Sequence, residues 1–545
     1  MGQIEAVDLL CVGSGLAGLS AALAAAGRGL KSCVVEKSTR LGGGSAMSSG
    51  GVWIGANRHQ AAHGLSDSPE ETRAYLDFIA GGASVPENLA ALAERSDEAL
   101  GAFEGLGVSL LLRPKVPDQF YPRAPGSTAA GRSFNAAPIA RAELGEWSDL
   151  LQDNPYFPPG MSSTDMVAWG GLGSMQDWDP KLLRERAESG RLGTGQAIVG
   201  QFLAGLGRAG VPILTEFEAG SLIRDNGRVT GIRGRHAGRP AEIAARRGVV
   251  LATGGYESNP DLVARFEGVP GWRSMFPASI TGDGMTMATE IGAAIHRVPE
   301  NFFFFLGYDI PGAGPGGAAR FRMTGFTELS YPHSMVVNRA GRRFFDESSF
   351  QKGVRAIKAF DQANRDFPNL PCFMIFDRRF QERYSFAERP PGAPPPGWLA
   401  RADSLAGLAA ELGIDGSALE ETAASFNRGA AEGRDPEFGR GDFLWIQVLS
   451  GDSAHPIHPN LAPVSEPPFY GVRLHPSGSS SAGLLTDADA RVLHVRGHPI
   501  AGLYACGSAA AQTDFGVGYQ GGLLLVRGMT FGYLAARHAA SAPGD

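Results

Sequence analysis

Cysteine is scarce. Only Cys11, Cys33, Cys372 and Cys506 occur in 545 residues, too far apart in sequence for a disulfide framework or a thiolate metal site. Three of the four lie in or beside apolar runs, where cysteine acts as a small hydrophobe. The histidines do not supply a metal site either. Their closest pair, His455 and His458, lies in a proline-rich connection with no cysteine or carboxylate at ligand spacing, so no metal is expected. Runs of like charge are also missing: 49 Lys and Arg oppose 56 Asp and Glu, a net charge of -7. That balance argues against nucleic acid or an anionic membrane surface as a partner. No stretch approaches the roughly 18 apolar residues of a membrane span. The first apolar segment lacks the basic flank and small-residue cleavage site of a signal peptide, and the start of the chain lacks the hydroxyl residue of a myristoylation signal. A cytoplasmic protein without membrane attachment is the expectation. What the chain has in quantity is glycine, 76 residues, and 43% apolar residues, enough for more than one hydrophobic core and about two domains.

Three of those glycines are placed where chemistry needs them. An apolar run ending at Val12 meets Gly13, Gly15 and Gly18, and an Ala/Leu-rich helical pattern follows from Leu16 to Ala26. Gly13 permits the tight strand-to-helix turn, Gly15 lets a pyrophosphate touch the backbone beside Ser14 and Ala17, and Gly18 lets the helix pack on the strand. The phosphates then lie at the positive end of the helix dipole. A second apolar strand, residues 32–35, ends at Glu36, about 20 residues beyond the glycines, where an acid accepts hydrogen bonds from a ribose. Strand, glycines, helix, strand and acid in that order predict an adenine dinucleotide.

The next segment selects among dinucleotides. Lys37 leads into a glycine and hydroxyl stretch containing Gly43, Gly44, Ser45, Ser49, Gly50 and Gly51, suited to backbone amides running along an extended, retained cofactor. That favours FAD, bound non-covalently, over a nicotinamide free to leave. Two distant segments agree, each reading as a buried strand closing on a glycine turn: residues 248–256 with Ala252, Thr253 and Gly254, and residues 500–508 with Gly507. Together with Thr281-Gly-Asp283-Gly and the Gly-Tyr519-Gln-Gly521-Gly522 segment before Leu523, they resemble the flavoproteins of the fumarate reductase and 3-ketosteroid dehydrogenase superfamily, over about residues 6 to 540. The resemblance implies an α/β fold in which a Rossmann-like FAD-binding domain, formed from residues 1–278 and 465–545, encloses an α+β cap domain at 279–464.

Within this order, the proline-rich loop at 390–397 reads as a surface excursion. Residues 146–184, with Trp147, Trp169 and Trp178 among many Gly, Pro and Asp, read as an irregular insertion that serves as a lid or an oligomer contact. A helix follows, with apolar residues at helical spacing over 193–203; in relatives the matching segment lies against the flavin. The cap opens with an aromatic wall, Phe302, Phe304 and Tyr308, continuing through Phe326 and Tyr331. Such a wall suits ordinary core and also an apolar substrate pocket.

The resemblance also implies the chemistry. Tyr519 occupies the family segment in which a tyrosine hydroxyl and a nearby amide, here from Gly521 or Gly522, bind a substrate ketone and favour its enolisation, as an oxyanion hole does. Tyr121, just before Ala-Pro-Gly-Ser127, resembles the family's N-terminal active-site tyrosine. The proton-abstracting tyrosine expected after Arg-Arg-Phe-Phe-Asp346-Glu347 is absent, and Phe350 stands there. Since phenylalanine takes no proton, Tyr331 or Tyr121 is the base, or the reaction differs from steroid ring-A dehydrogenation. The expected activity is α,β-desaturation of a cyclic ketone, steroid or smaller, with an external electron acceptor because no second dinucleotide motif exists for a nicotinamide. Reduction of an enone is the alternative. Serines stand where dicarboxylate reductases carry a His-His-Thr-Met-Gly-Gly segment, which argues against a dicarboxylate substrate, and His333 and His475 read as structural. A non-enzymatic carrier on the same fold is the remaining alternative, disfavoured by glycines that serve a bound cofactor at both ends of the chain.

Overall fold

The structure is a computed structural model that describes residues 6–324 and 327–542. Phe326, expected in the aromatic wall, lies outside the described residues. The first strand, Val7–Val12, runs between Ser32–Val35 and Arg239–Leu251, parallel to both. Beyond Arg239–Leu251 lies Pro499–Ala505, also parallel, and Arg491–Leu493 closes that edge antiparallel. Strands from both ends of the chain therefore share one eight-stranded sheet. The strands at its centre are almost wholly apolar because helices cover them, as parallel sheets require.

One covering helix, Leu16–Ala26, lies against the late helix Leu523–Ser541. They approach closely because Gly528 and Gly532 face Ala17 and Ala21: a Cβ at Gly528 would lie 3.2 Å from that of Ala17, and one at Gly532 2.7 Å from the Ala17 carbonyl oxygen. The helix expected from residue 193 forms as Thr194–Arg208 and packs on the same first helix.

The second sheet is antiparallel and six-stranded, with Arg320–Met323, Phe304–Ile310, Phe469–Gly478, Cys372–Phe376 and Ser334–Asn338 as its main path. Phe469–Gly478 is central here, although the sequence reading returns the chain to the FAD-binding part at 465. Apart from exposed Arg473 and half-buried His475 its residues are buried, and such near-continuous burial fits a strand in either sheet, so periodicity cannot assign it. The insertion at 146–184 contains short helices, including Ser163–Ala168 and Pro180–Glu188. It joins the two halves: Ser163 Oγ donates to the Ser49 carbonyl, Asn154 Nδ2 to those of Ala46 and Ser48, and Tyr331 Oη to that of Leu172.

Candidate active site

A long cavity with about 1360 Å³ of empty space, counting its open mouth, runs over the C-terminal ends of the parallel strands, where such sheets bind ligands. Gly13, Ser14, Gly15, Ala17, Glu36, Lys37, Gly43, Gly44, Ser45, Ser49, Gly51, Ala252, Thr253, Gly254, Asp283 and Gly507 all line it. Gly13 has φ +111°, and a Cβ there would meet the Ala252 carbonyl, so only glycine makes this turn. Gly18, Gly50, Gly521 and Leu523 are not part of the lining. A Cβ on Gly18 would collide with the Gly13 carbonyl and one on Gly50 with the Thr194 backbone, while one on Gly521 would lie 3.1 Å from the Trp445 ring. These glycines permit close packing behind the wall, and Leu523 is fully buried there.

Glu36 is tied into the turn. Its Oε2 accepts from Ser14 N at 2.9 Å and Ser14 Oγ at 2.7 Å, and its Oε1 from Ser38 N at 2.8 Å. Nearby, Lys37 Nζ donates to Asp283 Oδ2 at 2.7 Å and Thr281 Oγ1 at 2.6 Å. Cys506 also lines the cavity, but burial pushes its thiol up to about 12, so it is not a nucleophile.

The residues present fit FAD. A Cβ at Gly43 would meet nothing within 4 Å and one at Gly15 only Ser45 Oγ at 3.6 Å, leaving backbone open at the helix N-terminus where a pyrophosphate needs it. Two buried polar atoms of the lining, Thr253 Oγ1 and Glu257 Oε2, have no hydrogen-bond partner within the protein, and a bound ligand can satisfy both.

The far end of the cavity is aromatic and carries Tyr519, Gly522, Phe303 and Phe276. Burial pushes the Tyr519 phenol up, and the neighbouring Gly522 amide opposes the shift. Gly522 has φ +103°, and a Cβ would come within 2.6 Å of Trp53 N. The Tyr519 loop is held from below: Gln520 Oε1 accepts from the Tyr75 hydroxyl and from Gln119 N. Beneath Gln119, Arg132 bridges Asp118 and Asp67 with contacts of 2.9 and 2.6 Å, all three side chains essentially buried. The Tyr519 ring packs 4.7 Å from Phe303 and 5.6 Å from Phe350, whose own ring stacks 4.4 Å from Phe305.

Other expected residues have other surroundings. Tyr331 packs in the cap against Phe380 and Tyr384, and burial, with Glu328 nearby, pushes it far up. Tyr308 and Phe304 belong to the same cap core. Phe302 lines a separate apolar groove with Phe78, Phe120 and Phe443. Tyr121 lies in the turn after Asp118, half-buried and outside the cavity lining. Phe303 faces the cavity while Phe302 and Phe304 do not, because neighbours along extended backbone point to opposite sides. Tyr156, from the insertion, joins the aromatic cluster. It donates its hydroxyl to the Met275 carbonyl at 2.8 Å, and burial pushes it up to about 12. No motif surrounds it that would have singled it out. Among the described residues, no group of three or more His, Cys, Asp or Glu could hold a metal ion, and no helix is long and apolar enough to cross a membrane.

Comparisons with known proteins agree with this geometry. The model of the FAD binding domain family matches residues 8–522. The 3-oxosteroid 1-dehydrogenase of Mycobacterium tuberculosis is 33% identical, over 99% of both chains. The 4-oxocyclohexanecarboxylate 2-dehydrogenase of Sinomonas cyclohexanicum is also 33% identical, over 97% of this chain and 92% of that one. The crystal structure of 3-ketosteroid delta1-dehydrogenase from Sterolibacterium denitrificans, in complex with 1,4-androstadiene-3,17-dione, superposes with a TM-score of 0.86 at 30% identity, covering 98% of this chain and 100% of that one. With the glycine turn, the FAD-shaped cavity and these full-length matches together, the chain belongs to the FAD-binding oxidoreductases that include the 3-ketosteroid dehydrogenases.

Proposed function

We propose that the enzyme desaturates a cyclic ketone at its α,β carbon–carbon bond, giving an enone, and delivers the electrons to an external acceptor. The observation that carries this reading is that Tyr519 and Gly522 line the cavity together beside Phe303, at its aromatic end. A hydroxyl and a backbone amide in the same end of the cavity suit a ketone oxygen: such donors gain strength as negative charge grows on it during enolisation, which makes them worth more in the transition state than in the ground state. Tyr519 in its neutral form is the donor that role requires, and its burial favours that form. Bound FAD supplies the acceptor for the β-hydride. The α-proton goes to a base, and Phe350, beside Tyr519, is not one. Of the two tyrosines expected for that task, Tyr331 has its hydroxyl on the Leu172 carbonyl. Tyr121 follows Gln119, whose amide is bonded to the Tyr519 loop, and is assigned the proton. Phe303, Phe305, Phe350 and Trp445 keep water away and favour an apolar ring. The relatives named for a steroid and for a single-ring ketone support the ketone class and leave size to the pocket.

The test is anaerobic mixing of the purified flavoprotein with ketones running from cyclohexanone to 3-ketosteroids while the visible flavin absorbance is followed. Bleaching by a saturated ketone, with the enone recovered, is the expected result, and the fastest substrate gives the pocket size. No bleaching by any ketone, together with reoxidation of reduced enzyme by an enone, would overturn desaturation in favour of enone reduction.

A further inference from the structure

Glu257 is a buried carboxyl that the ketone chemistry does not use. It is 4% exposed, follows the glycine turn after Arg239–Leu251 and lines the FAD cavity. Its Oε1 accepts from Ser480 N at 2.8 Å, while its Oε2 has no partner in the protein. Gly255 leaves the carboxyl room, since a Cβ there would lie 2.7 Å from Oε1 and 2.8 Å from Oε2. The position along the cavity also follows from contacts. Ser480 is bonded through its carbonyl to Asn301 Nδ2, and Asn301 Oδ1 accepts from Phe303 N. Glu257 is thus tied through Ser480 and Asn301 to the residue that packs on Tyr519.

We propose that Glu257 contacts the FAD directly, its Oε2 bearing a proton and donating a hydrogen bond to an acceptor at the aromatic end of the cofactor. A buried polar atom without a partner costs more than the hydrogen bond it would make, so a ligand acceptor is the natural completion of this site. The surroundings favour the neutral acid. Burial raises Glu257 first of all, and Glu267, across Ser480 and Ser481, adds to the rise against the Ser480 hydrogen bonds. The nearby cation Lys358 pairs with Glu267 at 3.2 Å. A neutral donor would hold the cofactor without placing a fixed negative charge beside it and would favour its reduced, more electron-rich form. This inference rests on FAD binding alone and is independent of the ketone.

The test compares wild type with Glu257→Gln and Glu257→Ala as purified flavoproteins. Infrared difference spectra between oxidised and reduced protein are expected to show a protonated-carboxyl C=O band that shifts on reduction and is missing in Glu257→Gln. The FAD dissociation constant is expected to rise about tenfold in Glu257→Ala and to stay within about twofold in Glu257→Gln, whose amide still donates. The flavin midpoint potential should fall in Glu257→Ala. A wild-type spectrum with no such band, or an alanine variant with unchanged affinity and potential, overturns the proposal. Should the alanine variant not fold, the infrared comparison with Glu257→Gln decides alone.

Discussion

Replacing Tyr519 by phenylalanine removes one oxygen and leaves the rest of the cavity end in place. The ring keeps its packing 4.7 Å from Phe303 and 5.6 Å from Phe350, so the apolar burial is unchanged. Losing one hydroxyl's hydrogen bonding is worth about 1 kcal/mol of stability, which in a chain of this size moves the thermal midpoint by no more than about 3 °C. The effect on rate is of another order. Removing one oxyanion donor costs about 100- to 1000-fold in turnover, because the donor is strongest when the enolate charge develops. The loss should appear equally in kcat and kcat/KM, with KM little changed. Stopped-flow bleaching of the flavin by the best ketone of the panel measures the chemical step directly, and a thermal melt of the same sample controls for folding. A rate within about fivefold of wild type would refute the role given to the hydroxyl. So would a fall in rate matched by loss of bound FAD, since the residue would then be structural.

Gly13→Ala should abolish flavin binding, because φ +111° and the Ala252 carbonyl exclude a side chain there; the purified variant is expected to be colourless, and a yellow one would contradict the assigned turn. Phe350→Tyr places a hydroxyl among Phe303, Phe305 and Tyr519 and should lower stability in denaturant titrations by about 1–3 kcal/mol; wild-type stability would mean that this corner is polar. His455 is lowered to about 4 by burial first and then by its neighbour His333. An unfolded histidine takes up its proton near pH 6.5, so neutral His455 contributes stability that is fully present above about pH 6.5 and is lost as the pH falls toward 4. His455→Gln should flatten the dependence of unfolding free energy on pH in that window, and an unaltered slope would rule the assignment out.

The turn after Val12 was legible because its glycines do local work: strand, turn and helix are specified within a few residues, and the observed helix, Leu16–Ala26, has the bounds the pattern predicts. The aromatic wall was legible as composition only. Which of Phe302, Phe303 and Phe304 reaches the cavity depends on a one-residue choice of face, and a run of four phenylalanines carries no alternation from which to read it. Phe469–Gly478 could not be assigned to its sheet for a similar reason, since a largely buried strand fits either sheet and only long-range pairing decides. Tyr156 and Glu257 act through tertiary contacts with Met275 and Ser480, more than 100 residues away in each case. The ion pairs of Arg132 with Asp67 and Asp118 likewise exist only in the folded chain, where they brace the segment beneath Gln520.

The order of strands in the first sheet has a consequence for how the protein is made. Val7–Val12 and the helix after it leave the ribosome long before Leu523–Ser541, on which that helix packs, and Pro499–Ala505 joins the sheet only after the whole cap has been translated. Such distant pairings close slowly and late. The nascent cap can fold while the cofactor half waits with an open edge, so flavin capture follows the synthesis of Pro499–Ala505 and Leu523–Ser541. Chains arrested on the ribosome before Arg491 should carry no flavin fluorescence quenching, whereas release of the full-length chain should produce it.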